Sequence, residues 1–243
     1  MVARDDIERF RLANSELSMS VRDALEQFFL SLDLNRPELV RDALLEYLPI
    51  LTDQYGAVAA TMAADWYDEL RGDSGASGRF RALSAPSVPT EAVEEKVRYL
   101  ASHLWTPDPA AMLGGLLVAA DKYVKQPGRD TMASNARREG VRWARVPTGK
   151  KTCTWCLILA PRDAVYSTKK AAGGDGHRFH GACDCVATRI AKASDYPDGY
   201  LPDDYYDMYL AARDEAKSGD IKDIAESFRR LHPDAVTDGV HIH

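Results

Sequence analysis

Long apolar runs are missing from this 243-residue chain, and no stretch of eighteen or more apolar residues occurs. The best candidate, Ala110 to Ala120, is too short to cross a bilayer, so no membrane partner is expected. The opening residues, Met-Val-Ala-Arg-Asp-Asp, lack the apolar core of a signal peptide, and a reducing cytoplasm is the expected compartment. There is no Gly-x-Ser-x-Gly, no His-Glu-x-x-His, and no Ser/His/Asp set at a recognisable spacing. Internal repeats and low-complexity segments are also lacking, which excludes solenoids and disordered tails of biased composition. Cysteine is scarce: four residues, all between positions 153 and 185.

That confinement organises the chain. Cys153-x-x-Cys156 has the spacing of a knuckle, a tight turn that aims two thiolates at one point, and Thr148-Gly149 supports a hairpin turn leading into it. His180-x-x-Cys183-x-Cys185 follows. Five candidate ligands result: Cys153, Cys156, His180, Cys183 and Cys185. Thiolates with an imidazole in tetrahedral number favour structural Zn2+ over magnesium or calcium. Two disulfides and plain burial of small apolar side chains are the rival readings. In a strand Cys183 and Cys185 share a face; in a helical turn His180 and Cys183 are neighbours instead. The favoured set is four thiolates, with His180 replacing one or standing behind them. His177 lies on a Gly-rich loop and reads as solvated, as do His232, His241 and His243 near the end of the chain.

The net charge of −6 is unevenly spread. Residues 129–192 hold 13 Lys/Arg against 5 Asp/Glu, whereas residues 1–128 and 193–243 each carry a net −7. Internal neutralisation is the plain reading of a basic segment between acidic ones. Contact with DNA or an acidic protein face is the sharper one. Three regions are expected: a helical region over 1–128, a cysteine-rich module over 129–192, and acidic C-terminal helices with a tail over 193–243.

Apolar spacing predicts a first helix from about Asp5 to Asp33, with a seam through Ile7, Phe10, Asn14, Leu17, Val21, Ala24 and Phe28. Asn35, Pro37 and Glu38 read as a capped restart of a second long helix reaching Arg71, kinked at Pro49, and the pair as a long helical hairpin. Thr90 is expected to cap a helix to about Leu104. A helix from Pro107 should end at Gln126-Pro-Gly128, with another over 129–142. Helices over Leu201–Ser218 and, capped by Asp220, to Leu231 should precede a loosely ordered tail. The fold class is therefore mainly α, with a small α+β knuckle module near its centre.

The module resembles that of the Mu F-like head morphogenesis proteins of tailed bacteriophages, the minor capsid proteins. The likeness is carried by Trp143-Ala-Arg145-Val, Cys153-x-x-Cys156-x-x-Leu159-Ala160, Val165-Tyr166-Ser167 and Phe179-His180-x-x-Cys183-x-Cys185, over about 50 residues. The proline that usually closes the pattern is replaced by Val186-Ala187-Thr188-Arg189. The resemblance implies a head protein acting in the host cytoplasm during assembly and then in the virion, with the portal and other head proteins as partners. Some relatives are named capsid maturation proteases, so a protease cutting scaffold or coat protein is the main alternative. A zinc-braced nuclease using His177 or His180 as base is the second. Ser167 is the single serine between Arg142 and Ala187 and reads as a turn residue. Asp163, Asp175 and Asp184 are the acids near the cysteines. An assembly role without catalysis is the favoured reading.

Overall fold

The computed structural model describes residues 2–148, 151–160, 183 and 185–238. The chain is mainly helical. Seven helices are present among the described residues: α1 (Arg4–Leu30), α2 (Pro37–Asp73), α3 (Thr90–Leu100), α4 (Met112–Glu139), α5 (Thr154–Leu159), α6 (Pro202–Ala216) and α7 (Ile221–Leu231). Two strands, β1 (Arg142–Val146) and β2 (Val186–Ile190), form an antiparallel pair with Arg142 opposite Ile190 and Val146 opposite Val186.

The two long helices follow one another as the apolar seam requires. Ile7, Val21, Leu25 and Phe29 of α1 are buried, while Phe10, Leu17, Ala24 and Phe28 lie partly covered beside them. Among the described residues Asn14 takes no hydrogen-bond partner across the seam; its side chain donates to the Phe10 carbonyl of its own helix. Pro37 occupies the first turn of α2, where a missing N–H costs nothing. The expected capping box at Asn35 does not form. Asn35 instead donates through its backbone and side chain to Asp33, an Asx turn that competes with the cap. Similarly, Thr90 is the first helical residue rather than the cap, and α3 tightens into a 3-10 turn over Ala101–Trp105.

The largest correction concerns Gln126-Pro-Gly128. It does not end a helix: α4 runs unbroken through it to Glu139 and stops at Gly140, whose φ of 78° is left-handed. The two helix-breaking residues serve close packing. A Cβ at Gly128 would sit 3.0 Å from the Ala59 carbonyl oxygen, and one at Gly56 would sit 3.2 Å from Cγ of Pro127. With Ala59, Ala60 and Ala63 buried on α2, these small residues let the two helix backbones approach. Position 128 thus lies mid-helix, and the helical region and the cysteine module share α4.

Residues 79–89 form an extended strap over α2 and α4. Asn135 pins it by donating to the Leu83 carbonyl and accepting from the Leu83 amide, and Thr131 accepts from the Ala85 amide. Two main cores result. The distal one joins Val21, Leu25, Phe29, Leu44, Leu48, Val93, Val97, Met112 and Leu116. The other joins Ile7, Tyr67, Met132 and Trp143 to the cysteines.

Candidate metal centre

The strands bring the cysteine pairs together. β1 leaves the C-terminal turn of α4 and delivers the chain to the knuckle, while Cys183 and Cys185 stand immediately before β2, its partner. Cys156, Cys183 and Cys185 are buried, with sulfur atoms all within 4.8 Å of one another. Cys153 joins them: its thiol lies 2.8 Å from the Cys156 sulfur, and Cys156 lies 3.2 Å from Cys183. None of the four is in a disulfide. His180, His177, Ser167, Asp163, Asp175, Asp184, His241 and His243 lie outside the described residues.

Cys153 also caps α5, its sulfur accepting from the Cys156 amide at 3.1 Å. That bond closes the Cys-x-x-Cys turn and holds both sulfurs on one side. The module's backbone is anchored from several directions. Arg129 of α4, a buried arginine, donates from Nη2 to the Cys183 carbonyl at 2.5 Å. Tyr200 donates its hydroxyl to the Ala160 carbonyl at the end of α5, at 2.7 Å. Trp143, fully buried, packs in the same apolar cluster as the thiols.

Four sulfurs this close cannot keep ordinary acidities. Hydrogen bonding to Cys156 and Cys183, reinforced by burial, pushes the Cys153 thiol up. Hydrogen bonds from Cys153, Cys156 and Cys185 pull Cys183 down, and the Arg129 charge adds to this. A cluster of this kind favours a thiolate stabilised by hydrogen bonds from the neighbouring thiols. A dication would take the remaining sulfurs as thiolates and release their protons. Sulfurs in a tetrahedron of metal–sulfur bonds of about 2.3 Å stand roughly 3.8 Å apart, so the donor set fits a metal after a small expansion.

A second buried group braces the strands. Arg189 of β2 holds Glu139 with both ends of its guanidinium, Nε to Oε2 and Nη2 to Oε1, each at 2.6 Å. Tyr67 donates to the same carboxylate at 2.6 Å and Arg71 at 3.2 Å. Asp195 accepts from Arg189 at 3.4 Å and from the Ala191 amide at 2.9 Å. Burial alone would raise the Glu139 carboxyl, but hydrogen bonds from Arg189 and Tyr67 and the charges of Arg189 and Arg71 outweigh it. The acid is held below the usual carboxylate range. Burial, then the bond to Glu139, pushes the Tyr67 phenol far up. Part of the basic segment's charge is thus spent internally, on Glu139 and Asp195, whereas Lys151 stands at the surface, 3.6 Å from the exposed Asp234.

Sequence reasoning did not find Arg129, Tyr200 or the Glu139–Arg189 pair. A lone arginine in a helix carries no periodic signal that it will be buried. The tail was also misjudged. Residues 233–238 dock on the knuckle: Thr152 and Val236 form a parallel bridge, and Thr237 donates to the Thr152 carbonyl at 2.8 Å.

With this geometry in view, comparison with known proteins places the chain. The sequence model of the VG15 protein family matches residues 1–212. The chain belongs to the VG15 family. Among curated proteins it is similar to the Gene 15 protein of Mycobacterium phage L5, 28% identical over 109 residues, covering 30% of this chain and 37% of that one. It is also similar to the Gene 15 protein of Mycobacterium phage D29, 24% identical over 140 residues, covering 44% of this chain and 51% of that one. The chain therefore matches about half or less of the length of these relatives. No solved structure matches it. VG15 is thus a phage protein family in which the described residues of this member form a mainly helical body with a clustered thiol site. Among those residues no helix is long and apolar enough to cross a membrane.

Proposed function

We propose that this VG15 family member is a head-assembly protein of a tailed phage, a minor capsid component acting at the portal or inner capsid surface. We further propose that Cys153, Cys156, Cys183 and Cys185 hold a structural zinc ion that fastens the two-stranded module. His180 either replaces one thiolate or stands behind the set. The observation that carries the reading is the buried thiol cluster, assembled from two sequence-distant pairs. Kinship with phage Gene 15 proteins and the module's resemblance to Mu F-like proteins support the assembly role.

Bound zinc would supply folding energy and not reactivity, because four thiolates close its coordination shell and leave no position for water or substrate. The chain's own residues do the rest. Cys153 and the Cys156 amide set the turn, Arg129 fixes the Cys183 backbone, and Trp143 shields one flank. The protein would meet its partners in the host cytoplasm and remain in the phage head. The portal is the favoured partner of the basic segment, and DNA the competing one.

Two measurements test this. Protein purified without added metal should contain about one zinc per chain. Metal-free protein with two disulfides in non-reducing mass spectra would overturn the zinc site. In pull-downs the cognate portal should bind, and changing Lys150, Lys151, Lys169 and Lys170 to Glu should abolish binding without unfolding the chain. Salt-sensitive DNA binding lost in that variant, with portal binding intact, would overturn the choice of partner.

A further inference from the structure

The last described segment lies beyond residue 212, where the family match ends, yet it is built onto the knuckle. Helix α7 presents one apolar face. Ile224, Ala225 and Phe228 are buried with Ala212 of α6, Leu157 and Ile158 of α5, and Val236 of the tail. This is a small core of its own, between the C-terminal hairpin and the helix that carries Cys156. After α7 the chain turns back and runs alongside residues 152–154. The Thr152 amide donates to the Ala235 carbonyl at 3.3 Å, and the Thr237 amide to the Thr152 carbonyl at 2.8 Å.

The contact ends on Asp238. Its Oδ1 accepts from the Thr154 amide at 3.0 Å and from the Thr154 hydroxyl at 2.8 Å. Its Oδ2 accepts from Nε of Arg229 at 2.7 Å, which fixes the carboxylate from the α7 side. Thr154 is the first residue of α5, lying between the Cys153 cap and Cys156, and it is fully buried. The N-terminal amides of a helix need acceptors, and α5 takes one from Cys153 and one from outside its own segment.

We infer that residues 220–238 are a clasp on the knuckle and that Asp238 is a positioning residue for the Cys153 and Cys156 thiols. The inference rests on the metal reading for its consequence, slower metal release, but the clasp itself stands on geometry. With Asp238 in place the Thr154 amide and hydroxyl are fixed, so the two flanking sulfurs have one orientation. Without it the α5 turn can open and the two thiols swing apart.

The experiment compares full-length wild type with Asp238→Ala, Asp238→Asn and, as a control for general destabilisation, Val93→Ala in the distal core. Two readouts are taken: the rate of zinc transfer to a chromogenic chelator, and amide exchange of residues 154–160 in the protein as purified. Asp238→Ala should release zinc on the order of five- to ten-fold faster, the size expected for loss of an N-cap acceptor. Asp238→Asn keeps an acceptor for Thr154 and should recover much of the wild-type rate. Val93→Ala should leave the rate unchanged. Equal release from wild type and Asp238→Ala, or acceleration by Val93→Ala of the same size, overturns the inference. If the wild type holds no zinc, the metal reading falls and exchange decides the clasp alone. Faster exchange at 154–160 in Asp238→Ala supports it, and unchanged exchange overturns it.

Discussion

The two main cores of this molecule are threaded by the same three helices but are made in different ways. The distal core uses the second half of α1, the first half of α2, α3 and the start of α4, and its members are aliphatic or aromatic apart from Met112. The cysteine core uses the opposite ends of α1, α2 and α4 and adds two five-residue strands, a six-residue helix and four thiols. Buried charge is concentrated there: Arg129, Arg145, Arg189 and Asp195. A lone pair of short strands is marginal in water, and this one buries few large side chains of its own beyond Trp143, Val146 and Ile190. The difference is between a core held by area and a core held by specific bonds. Helices with full apolar faces close on themselves. A short module must be tied down, by Arg129 and Tyr200 on its backbone, by Arg189 and Glu139 between its strands and helices, and, in the reading proposed above, by zinc on its thiols.

The largest expected effect comes from removing that metal. A structural zinc contributes on the order of 10 kcal/mol to the fold of a small module. Chelation, or Cys183→Ser, should therefore remove exchange protection from β1, β2 and α5 while Leu44, Val93 and Leu116 stay protected. Leu44→Ala is the mirror experiment. It should cost about 3 kcal/mol by cavity formation and leave zinc stoichiometry unchanged. Exchange measured by mass spectrometry separates the outcomes. If both treatments melt the whole chain at one midpoint, the shared helices couple the cores into one cooperative unit and the contrast fails.

How the sequence relates to these two cores follows the same divide. The helical body was legible because apolar spacing is a repeated signal, and α1, α2, α6 and α7 lie within a few residues of their expected bounds. The clustering of the cysteines was legible because their spacing is unusual. Pro127-Gly128 was misread because a sequence cannot say whether Pro and Gly stop a helix or let a neighbour approach. Only the facing Ala59 carbonyl decides that. The tail at 233–238 was misread for the converse reason: its acceptors serve Thr152 and Thr154, some 80 positions away, and no local pattern announces such pairing. Buried Arg129 and Arg189 belong to the same class.

A smaller effect is expected at Glu139, where the bonded core can be tested without touching a cysteine. Glu139→Gln leaves Arg189, almost fully buried, with only its longer contact to Asp195, and should cost about 3 kcal/mol. The sign of the pH effect follows from the lowered acidity constant. The folded state holds the Glu139 proton more weakly than the unfolded chain, so its stabilisation is complete above the usual carboxylate range. It is lost as pH falls through the folded value. In urea titrations at several pH values, wild type should lose stability on that acid limb, and Glu139→Gln should show a shallower limb. An unchanged limb would mean that the network contributes nothing net and that thiols and apolar contacts alone hold the module.

The smallest effect concerns the joint between the cores. Gly114 and Gly128 both lie in α4, and alanine should favour a helix over glycine by up to about 1 kcal/mol at an interior position. At Gly114 a new Cβ meets nothing within 4 Å, so Gly114→Ala should stabilise by about 0.5 kcal/mol, reduced by its place in the first turn. At Gly128 the Cβ would lie 3.0 Å from the Ala59 carbonyl oxygen and 3.5 Å from its carbon. Backbone cannot move aside as a side-chain tip can, so α2 and α4 must separate. That separation offsets the propensity gain, and Gly128→Ala should be destabilising by about 1 kcal/mol. The loss should fall on both cores together, because the crossing at Ala59 lies between them. Equal stabilisation by the two alanines in urea unfolding would show that α2 and α4 are not in backbone contact there. Pro127-Gly128 would then be a tolerated irregularity and not the device that lets one helix pair carry both cores.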